Sequence, residues 1–387
     1  LRETAEILEL FTSANASGHK LVMATVVDVE GSSYRRPGAH LLLVDDGRKA
    51  GSISAGCLEN DLIARGEQLF DSDRCALLQY DNDEFFGLNY GCDGTIFVLL
   101  QPLNSSAISF PQVFQKAQST GKEFVLATVF ECDEAKLIGT KILTQDRTIL
   151  TSELAPAQEN VMENGLPSAL LKLVADEVAH TERRDNFSRE FKNVALEDDA
   201  RVSMKLFFET VKPSIRLVVF GAGDDVIPVL SVAQSIGMEV HIVDSRRSYL
   251  DRFEGTVPTH IYSDKFDSQT LFNAPGRTAA LVMSHSFELD KRFLSCVLKN
   301  ECAFAGVMGS RKRTGKLLAE LGMESHSERI TFPVGLDLGA ETPEEIALSI
   351  CSELLSFFKG TTSIPLSQVN GPIHRRADDV YAGARYE

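Results

Sequence analysis

From Arg216 to the last third of the chain, short branched-apolar runs alternate with segments of helical period. The strand-like runs are Leu217–Phe220, Glu239–Val243, His260–Tyr262, Ala279–Met283, Ala303–Val307 and Arg329–Phe332. Parallel strands need a crossover between them, and a helix is the usual crossover. The alternation therefore predicts an open parallel sheet covered on both faces, a Rossmann-like domain. Its last helix is framed by Thr342 as N-cap, Pro343 at the first helical position, Glu345 completing a capping box and Gly360 as terminator. Beyond Thr361 periodicity fades into a tail.

The amino-terminal part follows another rule. Helices are expected at Thr4–Ala14 and from Leu58 to about Phe70, and strands at Leu21–Val29, His40–Val44, Cys75–Tyr80 and Thr95–Leu100. Leu21–Val27 is echoed by Phe124–Phe130, each followed by a glycine (Gly38, Gly139), a short apolar strand and an acidic turn with an arginine. Ile96–Pro102 is matched loosely by Met204–Pro213. The expected fold class is α/β: a carboxy-terminal Rossmann-like parallel-sheet domain plus an amino-terminal mixed α+β domain with a degenerate internal duplication, about 21–103 and 124–213. A chance likeness of two β-rich stretches is the alternative. The expected domains are 1–110, holding the site loops, 111–213, the second half and linker, and 214–387, the Rossmann-like domain with its tail. The stretch 152–200 is polar and acidic and reads as partly helical.

Composition excludes several classes. The formal net charge of −16 disfavours nucleic acid and anionic membranes as general partners. No apolar run is long enough to span a bilayer. Seven cysteines without a Cys-x-x-Cys spacing argue against structural zinc and a disulfide framework, and for reduced thiols in a cytoplasmic setting.

Two groups of loops are candidates for chemistry. In Gly51-Ser52-Ile53-Ser54-Ala55-Gly56-Cys57 the thiol stands where a small-residue loop enters a helix. Unpaired amides and the helix dipole favour a thiolate there, a nucleophile and a soft metal ligand, although Glu59 and Asp61 oppose the shift. A small buried hydrophobe is the other reading of Cys57. Gly31-Ser32-Ser33-Tyr34-Arg35-Arg36 offers amides, hydroxyls and guanidinium groups to an anion; a surface hairpin with solvated arginines is the alternative. Cys92, in Gly91-Cys92-Asp93-Gly94, is a second thiol in a tight loop.

The second group lies on the Rossmann-like part. Gly221-Ala222-Gly223-Asp224-Asp225 follows a strand as a dinucleotide fingerprint does, and Asp244 stands in the place of a ribose-binding acid with Arg246 just beyond. Val226 replaces the third glycine, and Asp224 and Asp225 fall where a pyrophosphate would sit. His285 with Asp290, and Gly309-Ser310-Arg311, are expected at the same sheet edge. Binding of a nucleotide or pterin-like anion, hydride transfer with a nicotinamide cofactor, and a purely structural domain all remain open from these residues.

Taken together, the motifs resemble the XdhC/CoxI family. Gly31-Ser32-Ser33-x-Arg35-x-x-Gly38 and Gly51-Ser52-Ile53-Ser54-x-Gly56-Cys57-Leu58-Glu59 look like its amino-terminal signature. Val219 to Asp225, Val243-Asp244-x-Arg246, His285 to Asp290, Gly309-Ser310-Arg311 and Pro333 to Ala347 resemble its Rossmann domain. Ala55 stands where a second glycine is common, and Gly91-Cys92-Asp93-Gly94 departs from the Cys-Gly-Gly arrangement of better-known members. The resemblance implies a maturation factor for xanthine dehydrogenase or carbon monoxide dehydrogenase: a non-catalytic chaperone, often dimeric, that binds molybdenum cofactor (molybdopterin) and helps deliver it to the apo-molybdoenzyme. Sulfuration of the cofactor would fall to a separate cysteine desulfurase. The site residues it implies are Cys57, as metal ligand, Arg35 and the small loops about them. An NAD(P)-binding oxidoreductase and a scaffold that binds only the client enzyme are the rival readings.

Overall fold

A computed structural model describes residues 2–31, 35–54, 56, 58–81, 94–103, 108–153, 166–180, 186–195, 201–253, 259–263 and 267–369. The chain divides into two compact units, Glu3–Lys212 and Pro213–Glu387, the latter taking in Leu1–Arg2.

The first unit holds α1 (Arg2–Ala16), β1 (Leu21–Glu30), β2 (His40–Val44), β3 (Lys49–Gly51), α2 (Glu59–Glu67), β4 (Ala76–Tyr80) and β5 (Thr95–Pro102). There follow α3 (Phe110–Thr120), β6 (Phe124–Cys132), β7 (Lys141–Gln145), β8 (Thr148–Glu153), α4 (Ser168–His180), β9 (Phe187–Ala195) and β10 (Arg201–Val211). They form two five-stranded sheets, β3-β2-β1-β5-β4 and β8-β7-β6-β10-β9, which are the same order twice. The likeness reaches single residues. Val27 is the extra residue of a bulge where β1 meets β5, and Phe130 occupies the equivalent bulge where β6 meets β10. Gly38 N–H donates to Val26 O and Gly139 N–H to Val129 O, both at 2.8 Å, with φ of 93° and 90°. Only glycine takes that backbone without strain, which is why the echo keeps it. Val27 and Phe130, both buried, meet Phe97, Leu99 and Phe207 in one apolar cluster joining the two halves.

The stretch 152–200 is less helical than its composition suggests. Only α4 is helix among its described residues, and 187–195 is β9. The residues of β9 are exposed or half-buried throughout, as befits the outer strand of its sheet. Polar sequence there reflects a wet edge rather than helical period.

The second unit holds β11 (Arg216–Phe220), α5 (Val226–Ser235), β12 (Glu239–Val243), α6 (Arg247–Leu250), β13 (Thr259–Tyr262), α7 (Ser268–Leu271), β14 (Thr278–Val282), α8 (Phe287–Lys299), β15 (Phe304–Val307), α9 (Arg311–Leu321) and α10 (Pro343–Lys359). All its strand pairs are parallel, in the order β13-β12-β11-β14-β15. Alternate residues of one strand feed opposite layers. Leu217 and Val219 pack with α5 and α10, whereas Val218 and Phe220 pack with α8 and α9. The strand expected at Arg329–Phe332 does not form. Glu324–Arg329 is a 3₁₀ helix, and Thr331 alone bridges Gly306. Pro333 follows without an N–H to extend the ladder. The capping box of Thr342 and Glu345 and the left-handed Gly360 bound α10 as expected. No described helix is long and apolar enough to cross a membrane.

Candidate functional site

In the first unit the loop after β3 is organised by one carboxylate. Glu59, the first residue of α2, is buried. Its Oε1 accepts from Ser52 Oγ (2.9 Å), Ile53 N (3.3 Å) and Ser54 N (2.8 Å), and its Oε2 from Ser54 Oγ (2.5 Å). Ser54 Oγ in turn accepts from Leu58 N at 3.0 Å, closing the loop onto the helix start. Burial alone would push the Glu59 carboxyl up; the bonds from Ser54 and Ser52 outweigh it and hold it below its ordinary value. Sequence reasoning takes Glu59 only as a charge opposing a thiolate. It misses the residue's role as a clasp, although an acid at a helix start behind two serines is the available signal. Gly56 is exposed with φ 105° and open space where a side chain would be. Cys57, Ser32 and Cys92 lie outside the described residues.

Gly31 is exposed with φ 79°. Arg35 Nη2 lies 2.5 Å from Glu3 Oε2, an ion pair reaching back to α1. The loop's far end is tied down from the second half: Asn186 Nδ2 donates to Pro37 O at 3.2 Å, and Asn186 Oδ1 accepts from Thr210 N at 2.9 Å. The described cysteines Cys75, Cys132, Cys296, Cys302 and Cys351 are all free. Burial pushes every one of these thiols up, Cys302 to about 11 and Cys351 to about 12, so none is a ready thiolate at neutral pH.

In the second unit the parallel register brings Gly221–Asp225, Asp244–Arg246, Ser284–His285 and Gly309–Arg311 to the carboxyl edge of one sheet. A side chain at Gly221 (φ 132°) would come within 2.7 Å of Met283 C and 2.8 Å of Ser284 Cα. That glycine lets the turn after β11 lie against the end of β14. Asp225 is the N-cap residue of α5, yet its side chain makes no cap bond. Both acids of the turn are engaged by other side chains: Asp224 pairs with Arg252, and Asp225 Oδ2 lies 2.7 Å from His285 Nε2. Arg252 Nη2 also donates to Ala222 O at 2.5 Å.

Asp244 is fully buried and accepts from Arg246 N (2.9 Å), Nε (3.0 Å) and Nη2 (2.6 Å), and this raises the guanidinium's affinity for its proton. The acid in the ribose position is therefore already satisfied within the chain. Asp290 does not partner His285. It is buried, accepts from Ser284 N (3.0 Å) and Oγ (2.6 Å), and pairs with Arg313 Nη1 at 2.6 Å. Ser310 Oγ caps α9 by accepting from Arg313 N, after Gly309 at φ 136°, and Arg311 and Lys312 stand exposed at that helix start. Among the described residues no cluster of three or more His, Cys, Asp or Glu is arranged to hold a metal ion.

Comparison with known proteins agrees with this two-part layout. The family model described as the XdhC and CoxI family matches residues 14–81, and the XdhC Rossmann domain model matches 217–354. The chain belongs to the XdhC and CoxI family. A Bacillus subtilis relative, named as a probable subunit of xanthine dehydrogenase, is 29% identical over 86% of this chain and 92% of its own length. The molybdenum cofactor insertion chaperone PaoD of Escherichia coli is 22% identical over 90% of this chain and 87% of its own. A crystal structure described as a xanthine dehydrogenase from Bacillus halodurans shares the fold, with a TM-score of 0.67 and 24% identity over 94% of this chain and 99% of that one. In this XdhC and CoxI family member one of the chain's own carboxylates takes hydrogen bonds beside each glycine-rich signature, Glu59 from Ser54 in one unit and Asp225 from His285 in the other.

Proposed function

We propose that this chain is a maturation factor that binds molybdenum cofactor and hands it to an apo-molybdoenzyme of the xanthine dehydrogenase type, itself catalysing no reaction. The observation that carries the reading is similarity along 90% of the chain to a molybdenum cofactor insertion chaperone. The cargo site is the first half of the amino-terminal unit. Cys57 supplies a thiolate, a soft donor suited to a transition metal. The loop of Gly31, Ser32 and Arg35 faces the cargo's phosphate, and Gly56, beside open space, lets it approach the backbone. Ser52 acts through Glu59, holding the loop that carries Cys57, and Cys92 is a second thiol for the same cargo. The same reading includes a homodimer, a cysteine desulfurase partner and a cytoplasmic setting.

Hydride transfer with a nicotinamide cofactor is the weaker reading. The fit of a dinucleotide is poor, because Asp225 and His285 stand at the pyrophosphate position and Arg246 satisfies Asp244. The test is retention. Wild type and Cys57→Ser are incubated with molybdenum cofactor and desalted, and molybdenum and pterin are measured per chain. Loss of molybdenum in the variant is expected; undiminished molybdenum retention removes Cys57 from the site.

A further inference from the structure

The turn after β11 and the turn after β14 face each other where the strand order reverses, since β12 lies on one side of β11 and β14 on the other. Such a reversal opens a crevice at the carboxyl ends of the strands, the usual ligand position in this architecture. What stands on its two lips is a histidine–aspartate pair, with His285 Nε2 at 2.7 Å from Asp225 Oδ2.

Three observations say that the pair is built rather than incidental. His285 is not a glycine, yet its φ is 60°. Left-handed backbone at such a residue is held only when its neighbours over-determine it. Ser284 is fixed on buried Asp290 through its N–H and hydroxyl, and Ser286 caps α8 by accepting from Leu289 N. The strained residue is thus clamped on both sides. Next, the second glycine of the turn is explained by the pair. A side chain at Gly223 would stand 2.5 Å from Asp225 Oδ1 and 3.6 Å from His285 Cδ2. Gly223 therefore makes room for the carboxylate and the imidazole. Finally, the exposures are graded: the Asp225 side chain is 17% exposed and the imidazole 58%. A half-sheltered carboxylate holding an open imidazole is the arrangement that orients a proton acceptor.

The chemistry of a ligand follows from the donors. An ionised carboxylate only accepts, so the uncharged form of an imidazole held in this way keeps its proton on Nε2 and presents a lone pair at Nδ1. Asp224 and Asp244 are each matched by an arginine, whereas among the described residues Asp225 pairs with no lysine or arginine and faces the imidazole of His285. A pyrophosphate is repelled there, and a neutral group with an N–H is attracted. We propose that the switch-point crevice of the second unit binds an uncharged lactam-type heterocycle, the class that includes a pterin ring, through a hydrogen bond to His285 Nδ1 oriented by Asp225. The pair does not rest on the maturation reading; only the choice of a pterin as ligand does.

The test uses the full chain labelled with ¹⁵N-histidine, titrated with 6-hydroxymethylpterin and, separately, with NADH. His285 ring resonances are assigned by their loss in His285→Gln. The free protein is expected to show a protonated Nε2 and a bare Nδ1, and the pterin to shift Nδ1 saturably. Asp225→Asn should weaken pterin binding about tenfold, the size of one oriented hydrogen bond. Gly223→Ala should do the same, and Cys57→Ser should leave this titration unchanged. A saturable shift with NADH, no shift with the pterin, or equal binding by Asp225→Asn overturns the proposal. Loss of the titration in Cys57→Ser also overturns it, by moving the pterin to the other unit. Because the cargo reading is judged by molybdenum retention in Cys57→Ser, either idea can fail alone.

Discussion

The two halves of the amino-terminal unit share strand order, a bulge at Val27 and Phe130, and a glycine return at Gly38 and Gly139, but differ in what leaves the third strand. In the first half β3 runs into the clasped loop at 52–58 and α2. In the second, β8 ends at Glu153 and α4 begins only at Ser168. The difference teaches that the duplication kept what pairing and packing demand and let the connection after the third strand diverge. Buried polar positions also diverged. His40 and Lys141 each open the second strand of their half, and both are buried. His40 Nε2 crosses to Glu209 Oε1 at 2.6 Å and Nδ1 lies 3.0 Å from Thr25 Oγ1, whereas Lys141 lends positive charge to the neighbourhood of Cys75.

The largest effect is expected at the shared bulge. Phe130→Ala removes a fully buried ring from the cluster joining the halves and should cost about 4 kcal/mol in denaturant unfolding, against about 1.5 kcal/mol for Val27→Ala. Equal costs would contradict the unequal weight of the two bulge residues in the cluster that joins the halves. Glu209→Ala should cost about 2–3 kcal/mol, since it strands His40 away from water, both side chains being 5% exposed. If Glu209→Ala melts like wild type, the cross-half pair is dispensable. Gly38→Ala should cost about 1–3 kcal/mol, because φ of 93° disfavours any side chain and the new methyl would collide with the Asn186 amide. The accompanying loss of Asn186 from Pro37 O should speed proteolysis at 31–38, read by peptide mapping. Smallest in stability is thiol labelling. At pH 8 iodoacetamide should reach Cys302 and Cys351 only after unfolding, their thiols being raised to about 11 and about 12 by burial. Rapid native labelling of Cys351 would contradict its buried place under α5.

Much of this architecture is legible in the residues, for physical reasons that differ by region. The parallel sheet is readable because its central strands are buried on both faces, giving unbroken apolar runs such as Leu217–Phe220. The duplication is readable because Leu21–Val27 and Phe124–Phe130 are central strands whose side chains are fixed by packing. β9 is not readable, since an outer strand with polar residues carries no period. Thr331 misleads because a single bridging residue before a proline reads like a strand. At the sites, the residues locate the loops but not the partners. In sequence Asp225 stands where a pyrophosphate would sit and Asp290 reads as the companion of His285; in space Asp225 holds His285, and Asp290 holds Ser284 and Arg313. Glu59 looks like a repulsive neighbour until its hydrogen bonds show it turned inward.

The central claim, that the first half carries the cargo and the second supports it, is tested most directly by delivery. Apo-xanthine dehydrogenase is mixed with cofactor-loaded chain, and the recovery of its activity is followed for wild type, Cys57→Ser and Cys132→Ser, the last being a thiol in the second half. Recovery with wild type and Cys132→Ser, and none above free cofactor with Cys57→Ser, is the predicted result. Full recovery with Cys57→Ser, or loss confined to Cys132→Ser, would contradict it.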